Sequence, residues 1–394
     1  MWDPSVPAHG TLGNLMVEPS ETLYEYDGPL IFRARLGIVD LLLSKLADRD
    51  GSQTYLACQT DDRTVDSLRE GRLSVYGAFD QRSYWILLLD PSLRVASYWN
   101  CLREDLPPKF LPKAGLGLFH WHGQVPDSLE QSFALLAIKF RGASLTENGI
   151  PLGKLKNLVD QSFSTVRKLL TPAALAHTKS STFDVEVAPP KLASLVIAVK
   201  EPVINMTAVR RIRALDRYTR QDFENAVRTR GEDFAKKLLE VQFVTKTKTV
   251  DKDYATENFI LLDILSDILP DEKGFVSSVE FNAKTGSGFT TVVFDRDAGG
   301  SIRNMAKSAQ GRVVTEIGSI SGVISGSKSL RVKSVRGKEV TCSFGTESFD
   351  MLLEDPLFKL HNPINVTGKL WRRPRIDFMD VDSYRISDPS SLFG

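Results

Sequence analysis

The sequence predicts an α+β multidomain protein with an N-terminal antiparallel β domain, a mixed α+β middle domain and a small C-terminal β-barrel. Short apolar runs separated by turn residues dominate the first third of the chain, as in antiparallel sheets. From Leu152 to Leu170, apolar residues recur at three- and four-residue spacing, which is typical of an amphipathic helix. The strand-like pattern returns at Gly318 and is interrupted once, by a short helical segment at residues 348–354.

The N-terminal part is expected to be a flexible arm followed by a β-rich domain. Residues 1–20 are rich in Pro, Gly and Ser and suggest the arm, and residues 21–150 form the domain. Asp27-Gly28-Pro29 is expected to be a turn, because Gly adopts unusual backbone angles and Pro fixes φ and lacks the ladder donor. Strands are predicted around it at 22–26 and 30–35, then at 54–59, 73–79, 84–89, 95–100 and within 116–140.

The middle domain, residues 151–310, combines helices and strands. Helices are predicted at 152–170, 189–199, 221–239, 259–269 and 300–309. The second of these is expected to begin at Pro189-Pro190, because Pro is favoured in the first turn of a helix. A strand is predicted at 182–187, and 276–284 and 289–295 are expected to pair as a hairpin.

The final domain, residues 311–388, has the most specific order of elements. Three strands at 318–325, 329–335 and 338–344 precede the helix at 348–354, and two strands at 364–371 and 376–386 follow it. An oligonucleotide/oligosaccharide-binding (OB) type barrel has this order, with its helix between the third and fourth strands. The sequence therefore predicts an OB-like small β-barrel.

A motif near the N-terminus resembles a known family. Tyr24, Tyr26, Asp27-Gly28-Pro29 and Phe32 form a Tyr-x-Tyr-Asp-Gly-Pro-x-x-Phe pattern similar to the start of an uncharacterised bacterial family. The similarity covers roughly residues 20–115, with further matches at Tyr55-Leu56-Ala57, Ser67–Gly71 and Ala78-Phe79. The chain departs from this family by inserting Ile38–Asp50 into a hairpin that is usually tight. The resemblance carries no activity; it implies a bacterial, cytoplasmic protein and an association with phage defence or another conflict system.

Composition and charge exclude several classes of protein. The chain has 394 residues, 50 Lys and Arg and 49 Asp and Glu, so its net charge of +1 predicts no class of partner. The three distant cysteines, Cys58, Cys101 and Cys342, argue against a disulfide framework or a zinc ribbon. Neither a secretory signal nor a membrane-spanning run is recognisable, so we expect a cytoplasmic protein without membrane attachment.

Two constellations approach catalytic or metal-binding patterns, and neither is complete. His120 and His122 would lie on the same side of a strand, but a metal needs further ligands. Asp184, Glu186 and Lys191 resemble a Mg²⁺-dependent nuclease pattern, but the spacer before Lys191 is too long and contains two prolines. We therefore predict no catalytic residue, no metal site and no cofactor.

A basic cluster in the predicted barrel is the main candidate site. Its nucleic-acid-binding candidates are Arg331, Lys333, Lys369, Trp371, Arg372, Arg373 and Arg375. Five of them lie at the end of strand four and in the connection to strand five, which OB barrels use to bind oligonucleotides. Cations would contact phosphates and Trp371 would stack on a base. One alternative is that the same surface docks a protein. Another is that the barrel is structural and Trp371 belongs to its core.

These patterns favour a non-enzymatic binding or scaffold protein that engages a protein partner or single-stranded nucleic acid. An accessory role in a phage-defence or other conflict system fits the resemblance. One alternative is a metal-dependent nuclease or hydrolase in the middle domain. Another is an immunity or antitoxin-like protein that sequesters a protein partner. The oligomeric state is not defined by the sequence.

Overall fold

The computed structural model describes residues 6–49, 51–143, 145, 149–175, 182–189, 195–212, 215–247, 252–285, 288–372 and 376–387. Contacts between residues divide the chain into two compact units, Met1–Phe133 and Ala134–Gly394. Within the described residues, no helix combines the length and the apolar character needed to cross a bilayer.

The first unit is built on one antiparallel sheet. Its strands are β1 (Gly10–Met16), β2 (Pro19–Glu25), β3 (Pro29–Leu36), β4 (Val39–Arg49), β5 (Ser52–Gln59), β6 (Ser83–Leu89) and β7 (Arg94–Leu102). They are ordered β1-β7-β6-β5-β4-β3-β2, so β2 to β7 form a meander and β1 joins its far edge. The helices are α1 (Asp62–Arg69), α2 (Val75–Phe79) and α3 (Leu129–Phe133). Asp61 caps α1 by accepting a hydrogen bond from the Thr64 amide at 2.7 Å.

The predicted turn at Asp27-Gly28-Pro29 is confirmed. Asp27 and Gly28 both have positive φ, at 49° and 95°, and connect β2 to β3. Glycine adopts such angles without steric cost. The Tyr55 hydroxyl donates to the Pro29 carbonyl at 2.8 Å and ties the turn to β5. The corner is therefore explained by structure alone.

The predictions for the N-terminal arm and for residues 73–79 are wrong. The expected flexible arm contains β1, which pairs with β7, and Val17 beyond it is fully buried. Residues 73–79 include α2 in place of a strand, because the Ser74 side chain accepts from the Gly77 amide and caps a helical turn. The segment from Ile38 is an extension of the sheet, since β4 pairs along its length with β3 and β5.

The second unit begins with a five-stranded antiparallel sheet. Its strands are β8 (Leu136–Arg141), β9 (Phe183–Val187), β10 (Leu195–Ile204), β11 (Ser278–Thr285) and β12 (Gly288–Asp295), in the order β12-β11-β8-β10-β9. The helices are α4 (Leu152–Leu170), α5 (Met206–Val209), α6 (Arg220–Thr247), α7 (Lys252–Glu257), α8 (Phe259–Ser266) and α9 (Arg296–Ser308). Apolar side chains of α4, α6, α8 and α9 form one core with the sheet. Phe234 of α6, for example, meets Phe281 of β11 edge to face.

The long helices and the β11–β12 hairpin are confirmed, but the predicted helix at 189–199 is not. Leu195–Ile204 is a strand paired on both sides, with β8 and β9. Its run of Leu, Val and Ile fits a strand buried on both faces, which periodicity alone cannot distinguish from a buried helix. β8 lies at the centre of this sheet, whereas the sequence assigned residues up to 150 to the first domain.

The last part of the second unit is a closed five-stranded barrel. It consists of β13 (Val313–Ile324), β14 (Ser329–Ser334), β15 (Glu339–Ser343), β16 (Pro363–Trp371) and β17 (Asp377–Ile386), with α10 (Thr346–Glu354) between β15 and β16. The strands close in the order β13-β14-β15-β17-β16, and β15 and β17 are parallel. The barrel core also contains Phe349 and Leu352 of α10 and Phe259 of α8. The predicted order of strands and helix is confirmed.

Gly368 allows two barrel strands to approach closely. A Cβ at Gly368 would lie 2.1 Å from the Asp380 carbonyl oxygen, whereas a Cβ at Gly322 would meet nothing closer than 3.9 Å. We expect Gly368→Ala to lower the free energy of unfolding by about 1–3 kcal/mol through overpacking. Gly322→Ala, the matched control in β13, should change it by less than about 1 kcal/mol. Equal urea-unfolding midpoints for the two variants would contradict this packing.

Candidate binding site on the barrel

One end of the barrel contains a buried arginine. Arg336 lies in the turn between β14 and β15 and is only 1% exposed. Its guanidinium donates to Glu316 of β13, to Asp377 of β17 at 2.9 Å and to Asp263 of α8 at 2.7 Å. The guanidinium also lies 4.7 Å from the centre of the Phe259 ring, within range of a cation–π interaction. Arg336 therefore joins three elements besides its own turn.

Asp263 connects this arginine to two further cations. Arg372 donates to the second Asp263 oxygen at 2.5 Å and to the Ala306 carbonyl at 3.3 Å. The Lys338 ammonium lies 3.6 Å from Asp263. With Glu316 and Asp377, three carboxylates thus face three cations, and we call these six residues the charge cluster. A buried charge is tolerated when it is paired and hydrogen-bonded in this way.

The pKa values of Glu316 and Asp263 are shifted in opposite directions. Burial raises the pKa of Glu316, although Arg336 and Ser334 oppose the effect. Burial also acts to raise the pKa of Asp263, but the charges of Arg336, Arg372 and Lys338 outweigh it and hold that pKa below its usual value. Asp263 is therefore the firmly ionised anion at the centre of the cluster, and its charge fixes Arg372 in place.

The charge cluster fixes the end of the barrel on α8. β15 and β17 are parallel and start at the same end, so the turn before β15 and the connection before β17 lie there together. Arg372 belongs to that connection, and its side chain is held by Asp263 and Ala306. Of the other residues assigned to this connection, Arg373 and Arg375 lie outside the described residues. Arg372 is thus bound to other residues of the chain.

A groove crosses the outer face of β13, β14 and β15. It has a volume of about 650 Å³ and contains Arg331, Lys333 and Lys338. Arg331 and Lys333 project from β14 on the side away from the barrel core, as the sequence predicted. Glu339 is the acidic residue of the lining and lies 3.7 Å from Arg331. A register shift between Ile320 and Gly322 bends β13 where it forms the groove wall.

Lys369 and Trp371 occupy a different part of the barrel surface. Both project outward from β16, where Lys369 pairs with Val313, whereas Arg331 pairs with Gly322 at the other end of β13. The two levels are roughly 30 Å apart along β13 at ~3.3 Å per residue. Trp371 is 37% exposed, and the Lys369 ammonium lies 5.0 Å from its ring. Of the described candidates, Arg331 and Lys333 therefore lie in the groove, Lys369 and Trp371 lie on the surface of β16, and Arg372 belongs to the charge cluster.

The described residues of the two catalytic patterns form no metal-binding group. His120–His122 forms a 3₁₀ turn, not a strand, and Trp121 there stacks on Phe119. Asp184 and Glu186 are exposed on the edge strand β9, while Lys191 lies outside the described residues. In the part of the chain that the structure describes, no three His, Cys, Asp or Glu side chains are grouped to hold a metal ion.

Sequence reasoning missed the charge cluster, although one signal for it exists. Glu316 occupies the inward phase of β13, between Val314 and Ile320, where an ionisable side chain requires a buried partner. Arg336 lies in the turn after β14, and a residue in a turn has no periodicity that indicates its burial. Asp263 lies within an apolar helix, Phe259–Ser266, and carries the same kind of signal as Glu316.

The charge cluster predicts a strong dependence of stability on Arg336. We expect Arg336→Met to lower the free energy of unfolding by about 3–5 kcal/mol, because it leaves buried carboxylates without their cation. Arg331→Met, five positions earlier on the exposed face, should cost less than about 1 kcal/mol, since its ion pair is solvent-exposed. Urea unfolding followed by circular dichroism compares the two. Similar losses for both variants would show that the cluster does not stabilise the fold.

Comparison with known proteins leaves the function to be argued from this geometry. No protein-family model, curated protein or solved structure matches the chain.

Proposed function

We propose that the protein is a non-enzymatic binding protein whose barrel, of the OB type, binds single-stranded nucleic acid in the groove across β13, β14 and β15. The observation that carries this proposal is the convergence of Arg331, Lys333 and Lys338 on one groove. Glu339 lines the groove and Asp263 lies 3.6 Å from Lys338, so three cations meet two carboxylates there and the excess charge is positive, although the chain is nearly neutral. A phosphate backbone is the ligand that such a groove attracts.

The topology of the barrel supports the position of this site. OB-type barrels bind oligonucleotides on the face of their second and third strands, which are β14 and β15 here. They also use the connection between strands four and five, but Arg372 in that connection is held by Asp263. We therefore place the site on the strand face, where Arg331 and Lys333 are exposed.

The residues of the groove determine the kind of binding. Ser321 and Gly322 line one wall and leave room for a backbone to approach. Among the described lining residues there is no aromatic ring, so the groove offers contacts to phosphates in place of a stacking platform. We infer that binding is insensitive to base sequence and strongly sensitive to salt.

This mode of binding predicts a specific dependence on ionic strength. Each phosphate contact to a single strand contributes about −0.7 to the slope of log K against log salt concentration, so three cations give a slope of about −2. Arg331→Ala combined with Lys333→Ala should weaken binding of a fluorescent oligo-dT by about tenfold or more and reduce the slope by about 1.4. Fluorescence anisotropy over a salt series measures both quantities.

The control for this experiment is Lys369→Ala. It removes an exposed positive charge from the same barrel but from the surface of β16. We expect its affinity and salt slope to stay close to those of the wild type. Equal losses in the control and the double variant would assign binding to the net charge of the barrel. Unchanged binding in the double variant would remove the groove as the site and leave protein docking as the function of this surface.

A further inference from the structure

A second cavity lies within the same unit, between the helices and the barrel. It has a volume of about 540 Å³, which is in the range of small-molecule sites. Residues of α4, α6 and α8 form one side, and residues of β13, β14 and β16 form the other. We call it the helix–barrel cleft. Lys333 and Gly337 line both this cleft and the groove, so the two adjoin.

The helix–barrel cleft is strongly cationic. Five basic side chains face two carboxylates, those of Asp233 and Glu257. The basic residues are Arg167, Lys168, Arg230, Lys237 and Lys333. Lys168 is bound to Asp267 at 3.2 Å, and Asp233 is shared with Lys236 at 3.6 Å. Positively charged side chains therefore outnumber carboxylates in the lining, which favours an anionic ligand.

Arg230 is the residue of the cleft that most clearly indicates an anionic ligand. Its Nε donates to the Leu169 carbonyl at 3.1 Å, which orients the guanidinium. Burial lowers the pKa of Arg230, and the nearby charge of Asp233 opposes the effect only in part. A partly buried guanidinium of this kind presents its remaining donors in a planar fork that suits a phosphate or carboxylate.

The cleft also has an apolar floor and neutral polar groups. Phe234, Leu261 and Ile264 are buried and line it, and Asn258 and Thr315 lie beside them. A simple inorganic anion would leave the apolar floor exposed. Asn258 already donates to the Tyr254 carbonyl and Thr315 shares a hydrogen bond with Thr367, and both side chains retain capacity for a further polar group. A molecule that combines a phosphate, a polar sugar and a flat apolar ring satisfies all three parts.

We propose that the helix–barrel cleft binds a nucleoside phosphate, with Arg230 and Lys237 on the phosphate and the base against Phe234, Leu261 and Ile264. The same chemistry is supplied by a free nucleotide or by the terminal nucleotide of a strand that runs out of the groove. The second source depends on the proposed function of the groove, whereas the first does not.

The test measures the binding of free nucleotides and of strand ends separately. Isothermal titration calorimetry uses AMP, GMP, CMP, UMP and inorganic phosphate. Anisotropy compares fluorescent oligo-dT with and without a 5′-phosphate or 3′-phosphate. We expect Lys237→Ala and Arg230→Gln each to weaken the phosphate-dependent binding at least tenfold. Lys237→Ala is informative even if Arg230→Gln disturbs the fold. Lys246→Ala, which changes an exposed lysine of α6 outside the cleft lining, should bind like the wild type.

Two outcomes support the proposal and two overturn it. Mononucleotide binding that is lost in Lys237→Ala identifies a free nucleotide as the ligand. A preference for one terminal phosphate that is lost in Lys237→Ala, without mononucleotide binding, identifies the strand end. Inorganic phosphate binding as tightly as every nucleotide would overturn the nucleoside assignment. The proposal is also overturned when neither a mononucleotide nor a terminal phosphate changes binding.

One variant separates this proposal from the function of the groove. Arg331 lines the groove and not the cleft. Arg331→Ala should therefore weaken oligonucleotide binding while mononucleotide binding persists. If the wild type binds mononucleotides but no oligonucleotide, the proposed function of the groove is wrong and the proposal for the cleft is supported.

Discussion

The burial of one guanidinium constrains the whole second unit. Arg336 is removed from water, so each of its charged contacts has to be supplied by the protein. The carboxylates come from α8, β13 and β17, elements that are far apart in sequence. Separating the barrel from α8 would break the ion pair between Arg336 and Asp263 and expose both charges to solvent or leave them unpaired. The barrel and the helices beside it are therefore expected to fold as one body, and the barrel cannot be treated as a separate module.

This constraint determines which surfaces remain for a ligand. The charge cluster uses the end of the barrel where β15 and β17 begin, and it holds Arg372 there. The outer faces of β14 and β15 stay open and carry Arg331 and Lys333. Since the barrel is fixed against the helices, its wall and the helices α4, α6 and α8 also enclose the helix–barrel cleft. Lys333 lines both concavities, so the groove and the helix–barrel cleft adjoin at a basic residue.

The sequence could predict the elements better than their assembly. The barrel order was predictable because alternation, turn residues and one short helix leave few arrangements of five strands. The strand β10 was mistaken for a helix because a run of Leu, Val and Ile buried on both faces has no period-two signal. Lys369 and Arg372 look equivalent in the sequence, yet one faces outward from β16 and the other is held by Asp263. The roles of neighbouring cations differ only through their contacts with residues distant in sequence, and local spacing does not indicate these contacts.

The central claim is that ligand binds to the open face of the barrel, beside an end that the charge cluster keeps closed. Hydrogen–deuterium exchange of the full chain, with and without a saturating oligo-dT, tests it most directly. Protection should appear in the second half of β13, in β14 and in the turn around Gly337, and α8 should exchange equally slowly in both states. Protection confined to β16 and β17, or faster exchange of α8 when the oligonucleotide binds, would contradict the claim.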